Sequence, residues 1–250
     1  MGKKINTKAI HVGSNPEEHH GSINDPIYKN STLIFKNYRN FLKAKREKFS
    51  LPYYGRFGNY SVKRFEKIVC SLYSSEKSII TSSGLSAITI SLQSLLNQND
   101  EILVTENCYE PVSNFLKFHL SKFGIKTSYF DSDLKNLKSM INKNTKIIYL
   151  ESPGSLNYEV LDIIKICRIA KKNNITTIMD NTWSTFLGCN PMDHGVDIVI
   201  ESATKYFIGH SDNFCGLIAC SNHYFNKIKK TAVALGDFVS PERPVSMPLE

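Results

Sequence analysis

From about residue 61 to residue 220, short apolar runs alternate with longer amphipathic stretches. The runs are SIIT (78–81), EILVTE (101–106), KTSYF (126–130), KIIYLES (146–152), TTIMD (176–180), DIVIES (197–202) and GLIAC (216–220), and their lengths suit strands. The stretches SVKRFEKIVCSLYS, LSAITISLQSLL, EPVSNFLKFHLSKFG and VLDIIKICRIAKKN carry helical spacing instead. Strands that are apolar on both faces must be covered on both faces, and helices interleaved with them supply that cover. The expectation is therefore an α/β fold: a mainly parallel seven-stranded sheet flanked by helices. Ligands of such sheets collect at the carboxyl ends of the strands, so polar residues there deserve the closest reading.

Outside this alternation the texture changes. Residues 1–60 are polar and turn-rich, with Gly13, Pro16, Gly21, Pro26, Pro52, Gly55 and Gly58, and read as an arm lying on something else. Residues 61–235, which carry the alternation, are expected to form one domain, the ligand-binding one. Residues 236–250, GDFVSPERPVSMPLE, hold three prolines and read as a stub.

With 41% hydrophobic and 22% charged residues over 250 positions, the chain can bury a substantial core. Its net charge of +8 comes from dispersed lysines, without the basic stripe interleaved with aromatics that a nucleic-acid partner requires. The six cysteines show no C-x-x-C spacing and no disulfide density, so reduced thiols in a cytoplasmic protein are expected. The opening MGKKINTKAIHVGS has no apolar signal core, Asn6 breaks a myristoylation pattern, and no apolar run approaches a membrane span. The glycosylation sequons at Asn30, Asn59 and Asn174 are chance matches in an asparagine-rich chain. His19, His20 and His210 lack partners at ligand spacing, and no metal is expected.

Three strand ends carry residues suited to chemistry. In TSSGLSAITISLQSLL a strand ends at Thr81, Gly84 permits close backbone approach, and a helix follows, which makes an anion site suited to phosphate. Ser-Ser-Gly is also an ordinary helix cap. Asp180 ends the apolar run TTIMD, where it either caps a helix or opposes a buried cation. Lys205 follows the run DIVIES, flanked by Ser202 and Thr204. Such a lysine is ordinarily a solvated cap, but desolvated at a strand end it becomes an amine nucleophile toward an aldehyde. Together the three match pyridoxal phosphate: phosphate at Gly84 and the hydroxyls, ring nitrogen at Asp180, aldehyde at Lys205.

The segments YYGRFGNYS, SSGLSAI, ENCYEP, ESPGS, MDNTW and SATKYFIGHSD, in this order and at these separations, resemble the Cys/Met-metabolism family of pyridoxal-phosphate enzymes over residues 5–235. The resemblance implies fold type I of the pyridoxal-phosphate-dependent transferases. It also implies that Lys205 attaches the cofactor and shuttles the substrate's α-proton, that Asp180 holds the ring nitrogen protonated, and that Tyr109 stacks on the ring. Gly84, Leu85, Ser202 and Thr204 would bind the phosphate, with Leu85 standing where the family usually has methionine. Tyr54 and Arg56 match a pair that reaches the phosphate of a neighbouring subunit, which implies a homo-oligomer, dimer or tetramer.

Tyr109-Glu110-Pro111 and Glu151-Ser152-Pro153-Gly154-Ser155 resemble the bacterial cystathionine β-lyase branch more than the γ-synthases and γ-lyases. That branch implies β-elimination of cystathionine, or a cysteine-like amino acid, to homocysteine, pyruvate and ammonia in methionine biosynthesis. Family chains continue into a smaller C-terminal domain with the arginine that binds the substrate's α-carboxylate. That domain is expected to be missing here, and Arg243, in the proline-rich end, does not match the motif. The alternative expectation is a truncated remnant that binds pyridoxal phosphate without significant turnover.

Overall fold

The computed structural model describes residues 7–8, 11–13 and 15–242. Arg243 and the residues after it lie outside the described residues. Seven strands form one sheet: β1 (Lys77–Thr81), β2 (Glu101–Thr105), β3 (Lys126–Phe130), β4 (Thr145–Glu151), β5 (Thr176–Asp180), β6 (Ile198–Glu201) and β7 (Gly216–Cys220). Their spatial order is β1-β7-β6-β5-β4-β2-β3. The pairs β2–β3, β2–β4, β4–β5 and β5–β6 are parallel, while β7 runs antiparallel to both β6 and β1. A parallel return needs a crossover helix, and the segment between Glu201 and Gly216 forms turns only, so β7 comes back antiparallel.

The helices are α1 (Tyr38–Arg46), α2 (Tyr60–Tyr73), α3 (Gly84–Leu95), α4 (Glu110–Phe118), α5 (Leu137–Met140), α6 (Ile163–Lys172), α7 (Thr185–Gly188) and α8 (Asn222–Ala234). On one sheet face, α3, α4 and α8 bury Ala87, Ile88, Val112, Leu116 and Ile228 against Ile102, Tyr149, Ile178 and Ile198. On the other, α2 and α6 bury Phe65, Val69, Leu72 and Ile166 against Leu103, Ile148, Met179 and Val199. Truncating a fully buried leucine such as Leu103 to alanine costs about 2–5 kcal/mol in cores of this kind. None of these helices is long and apolar enough to cross a membrane.

Several elements differ from expectation, α5, α7 and α8 among them, which lie outside the stretches expected to be helical. The helix expected over 110–124 bends at His119 into a 3-10 turn, Leu120–Phe123, closed by Gly124 in the left-handed conformation (φ 72°). In the arm, α1 forms although no sustained periodicity announces it. Its nine residues are too few for a clear period, and it stands because Asn37 accepts the Asn40 amide at 2.9 Å and Phe41 packs among rings. Phe41 lies 5.6 Å from Phe35 and 5.8 Å from Tyr53, which is 5.8 Å from Phe57.

A buried charge cluster ties arm, α2 and α8 together. Glu66 accepts from Lys229 at 3.2 Å and from Lys63 at 2.7 Å, and Lys63 also donates to the Phe49 carbonyl at 2.7 Å.

Candidate active site

A cavity of about 760 Å³ opens at the carboxyl ends of β4, β5 and β6, beside the N-terminus of α3. Gly84, Leu85, Tyr109, Asp180, Ser202, Thr204 and Lys205 all line it. Tyr54 and Arg56 do not. Both are exposed on the arm, where Arg56 Nη1 donates to the Val233 carbonyl at 2.8 Å.

One corner suits an anion. Ser83 caps α3 by accepting the Ser86 amide at 3.1 Å, which leaves the first-turn amides of the helix pointing outward without intrahelical partners. A Cβ on Gly84 would come within 2.6 Å of the Ser202 Cβ, so glycine alone lets α3 start against the end of β6. Among the described residues no hydrogen bond engages the Ser202 hydroxyl, while its amide donates to Thr182 Oγ1 at 2.8 Å. Thr204 differs. Its hydroxyl donates to the Cys215 carbonyl and accepts the Cys215 amide, both at 3.0 Å, so its proton is already committed.

Beside that corner stand two carboxylates. Glu151 and Asp180 are register partners across β4 and β5 and therefore point to the same sheet face. Asp180 accepts the Thr182 amide at 2.9 Å. Glu151 accepts the Tyr109 amide and the Ser155 hydroxyl, each at 2.6 Å, and so ties two loops of the cavity rim together. Burial raises the Asp180 carboxyl above its usual range. Burial, reinforced by the neighbouring Asp180 charge, pushes Glu151 up to about 7.

On the opposite face Glu201 accepts from the Tyr73 hydroxyl, and burial keeps its carboxyl well above the usual range. Among the described residues no ion pair reaches any of these three carboxyls. Glu151 and Glu201 carried no expected role, yet the signal was available. KIIYLES and DIVIES each place a glutamate directly after an apolar strand, as TTIMD places Asp180.

Lys205 sits four positions beyond the end of β6, in a turn closed by its own amide on the Ser202 carbonyl at 3.0 Å. It is exposed, which corrects the expectation of a desolvated amine: the chain holds the lysine at the cavity but does not cover it. Tyr109, 47% exposed, precedes α4 with its ring free to meet a ligand face. Trp183 also lines the cavity, 6.4 Å edge-on from Tyr158.

The model of Cys/Met metabolism PLP-dependent enzymes matches residues 6–246. The chain belongs to that family. It is 36% identical to a Saccharomyces cerevisiae protein provisionally named cystathionine beta-lyase, over 92% of this chain and 67% of the relative. It is 30% identical to the cystathionine beta-lyase MetC of Escherichia coli, over 96% of this chain and 62% of that enzyme. The solved cystathionine gamma-lyase of Lactobacillus plantarum, complexed with L-serine, superposes with a TM-score of 0.88 at 28% identity, over 98% of this chain and 62% of that one. The chain thus spans two-thirds or less of the length of these relatives, and the fold is that of pyridoxal-phosphate enzymes.

The family's cofactor is pyridoxal phosphate, and the cavity fits it. The first-turn amides of α3 and the Ser202 hydroxyl suit a phosphate. Asp180 is a buried carboxylate that forms no ion pair among the described residues, the kind of partner that a protonated pyridine nitrogen requires. The exposed Lys205 amine is accessible to an aldehyde.

Proposed function

We propose that the chain forms the cofactor-binding part of a cytoplasmic carbon–sulfur lyase that eliminates homocysteine from cystathionine in methionine biosynthesis, with water hydrolysing the three-carbon fragment left behind to pyruvate and ammonia. The observation that carries the reading is the convergence of Lys205, Asp180 and the Gly84–Ser202 corner on one cavity. The cofactor supplies an electron sink for the substrate's α-carbon. Asp180 keeps that sink effective by holding the proton on the ring nitrogen. Gly84, Leu85 and Ser202 anchor the phosphate, and Thr204 shapes the corner through its ring of bonds with Cys215. Tyr109 covers the ring face, positioned through Glu151. Lys205 Nζ would hold the cofactor through its aldehyde at rest and, as a free amine, would take the substrate's α-proton.

The link from Glu151 to both Tyr109 and Ser155 supports the β-lyase branch, since it unites the two segments whose composition resembles that branch. Tyr54 and Arg56, remote from the cavity of their own chain, are assigned to the phosphate of a neighbouring subunit in a homo-oligomer. The arm that carries them exposes Ile34 (98%) and Tyr38 (73%), as an oligomer surface would.

A second reading is a chain that binds the cofactor without turnover. It is favoured by one observation: no arginine among the described residues lines the cavity to take the substrate's α-carboxylate. One experiment separates the readings. Purified protein supplied with pyridoxal phosphate is expected to absorb in the visible and to release pyruvate from cystathionine, and Lys205→Ala should lose both. Absorbance without pyruvate above the Lys205→Ala background establishes the second reading, and absence of the band overturns both.

A further inference from the structure

One carboxylate lies behind the first turn of α3, outside the cavity. Asp237 follows α8 on a turn made by Gly236 in the left-handed conformation (φ 75°) and pinned by the Asp237 amide on the Ala232 carbonyl at 3.0 Å. From there its carboxylate reaches back to the loop between β1 and α3. Each carboxylate oxygen accepts the Ser82 amide at 3.3 Å, and Oδ1 accepts the Ser82 hydroxyl at 2.5 Å. Ser82 Oγ lies 2.9 Å from Ser86 Oγ, which accepts from Ser83 Oγ at 3.1 Å. A line of polar groups therefore runs from Asp237 around the first turn of α3.

We propose that Asp237 is a positioning residue for the cofactor phosphate. It acts on the loop from behind: Ser83 and Gly84 line the cavity, whereas Ser82 and Asp237 do not. An anion site built from backbone amides binds well only if the amides already converge, because ordering a Ser-Ser-Gly loop at the moment of binding costs backbone entropy. A carboxylate that takes both the amide and the hydroxyl of Ser82 removes that freedom in advance and turns the following amides toward the cavity. The bonds are charge-assisted, so the tie is stronger than one between neutral groups. The proposal rests on the assignment of this corner to the phosphate of pyridoxal phosphate.

The test compares pyridoxal phosphate with pyridoxal, which lacks the phosphate, by titrating the protein and reading the visible band. Asp237→Ala is expected to weaken pyridoxal phosphate by about tenfold, one hydrogen-bonding group's worth, while pyridoxal changes by less than about twofold. Asp237→Asn, which retains an acceptor for Ser82, should stay within about threefold of wild type for both ligands. Equal weakening of both ligands, or no change in either, overturns the proposal. If Asp237→Ala does not fold, Ser82→Ala takes its place and should show the same selective loss, smaller in size. If wild type gives no band with either ligand, the proposed function fails, and inorganic phosphate then decides this point alone. A thermal shift by phosphate in wild type that Asp237→Asn keeps and Ser82→Ala diminishes upholds the positioning role, and no shift in wild type overturns it.

Discussion

At the scale of single residues, the site is dominated by carboxyl groups whose charge the fold does not balance. Glu151 ionises near 4.5 when solvated and near 7 when folded. Between those values the native protein keeps a proton that the unfolded chain has released, so stability falls as pH rises through the window. The upper bound on this fall is about 3.5 kcal/mol, at about 1.4 kcal/mol per unit. Urea midpoints of the cofactor-free protein are expected to drop between pH 5 and pH 8, and Glu151→Gln should flatten that drop without abolishing it, because Asp180 is raised as well. A drop of equal size in Glu151→Gln would remove Glu151 from this account. Of these residues, Asp180 and Lys205 were legible from their places after apolar strands. The exposure of Lys205 and the prior commitment of the Thr204 hydroxyl were not, since both depend on how residues 202–215 turn back to start β7.

At the scale of elements, α2 and α8 meet through Glu66, Lys63 and Lys229. Burial alone would raise the Glu66 carboxyl, but Lys229 and Lys63 outweigh it and hold it below its usual range. Lys229 is lowered, because burial and the Lys63 charge exceed the help from Glu66 and Asp237. The two shifts differ in sense: at Glu66 two close cations outweigh burial, whereas at Lys229 burial and the Lys63 charge outweigh Glu66 and the weaker pull of Asp237. Glu66→Gln strands a buried ammonium and should cost about 3–5 kcal/mol, whereas Lys229→Met leaves the Lys63–Glu66 pair intact and should cost about 1 kcal/mol or less. Equal denaturation midpoints for the two variants would contradict this. The residues that make this cluster carry no mark in the sequence. Lys63 and Glu66 read as an ordinary surface pair on a helix, and Lys229, 163 positions from Glu66, reads as solvated.

At the scale of the whole molecule, one sheet brings Gly84, Glu151, Asp180 and Ser202 from separate strand ends to a single rim, and leaves Tyr54 and Arg56 elsewhere. If that pair serves a neighbouring subunit, cofactor affinity depends on assembly. Pyridoxal phosphate is expected to bind more tightly as protein concentration rises through the range where sedimentation velocity shows self-association. Tyr54→Phe, which removes a single hydroxyl, should bind it roughly tenfold more weakly in the assembled state, the value of one hydrogen bond to a charged group. Affinity independent of concentration, with Tyr54→Phe unchanged, would confine the site to one chain.

Sequence alone was enough for the seven strands, for the helices before β1, between β1 and β2 and between β4 and β5, and for placing Asp180 at the end of an apolar strand. Those follow from local periodicity and from the need to cover two apolar sheet faces. Only the tertiary structure decided that β7 returns antiparallel, that Glu151 and Asp180 share a face with no ion pair among the described residues, and that Asp237 lies behind the first turn of α3. The reason is physical. Periodicity is written within ten or fifteen residues, whereas the charge and hydrogen bonding of a buried group are set by partners that only packing brings near. Asp237 and Ser82, 155 positions apart, become neighbours because α8 lies beside β1 and α3.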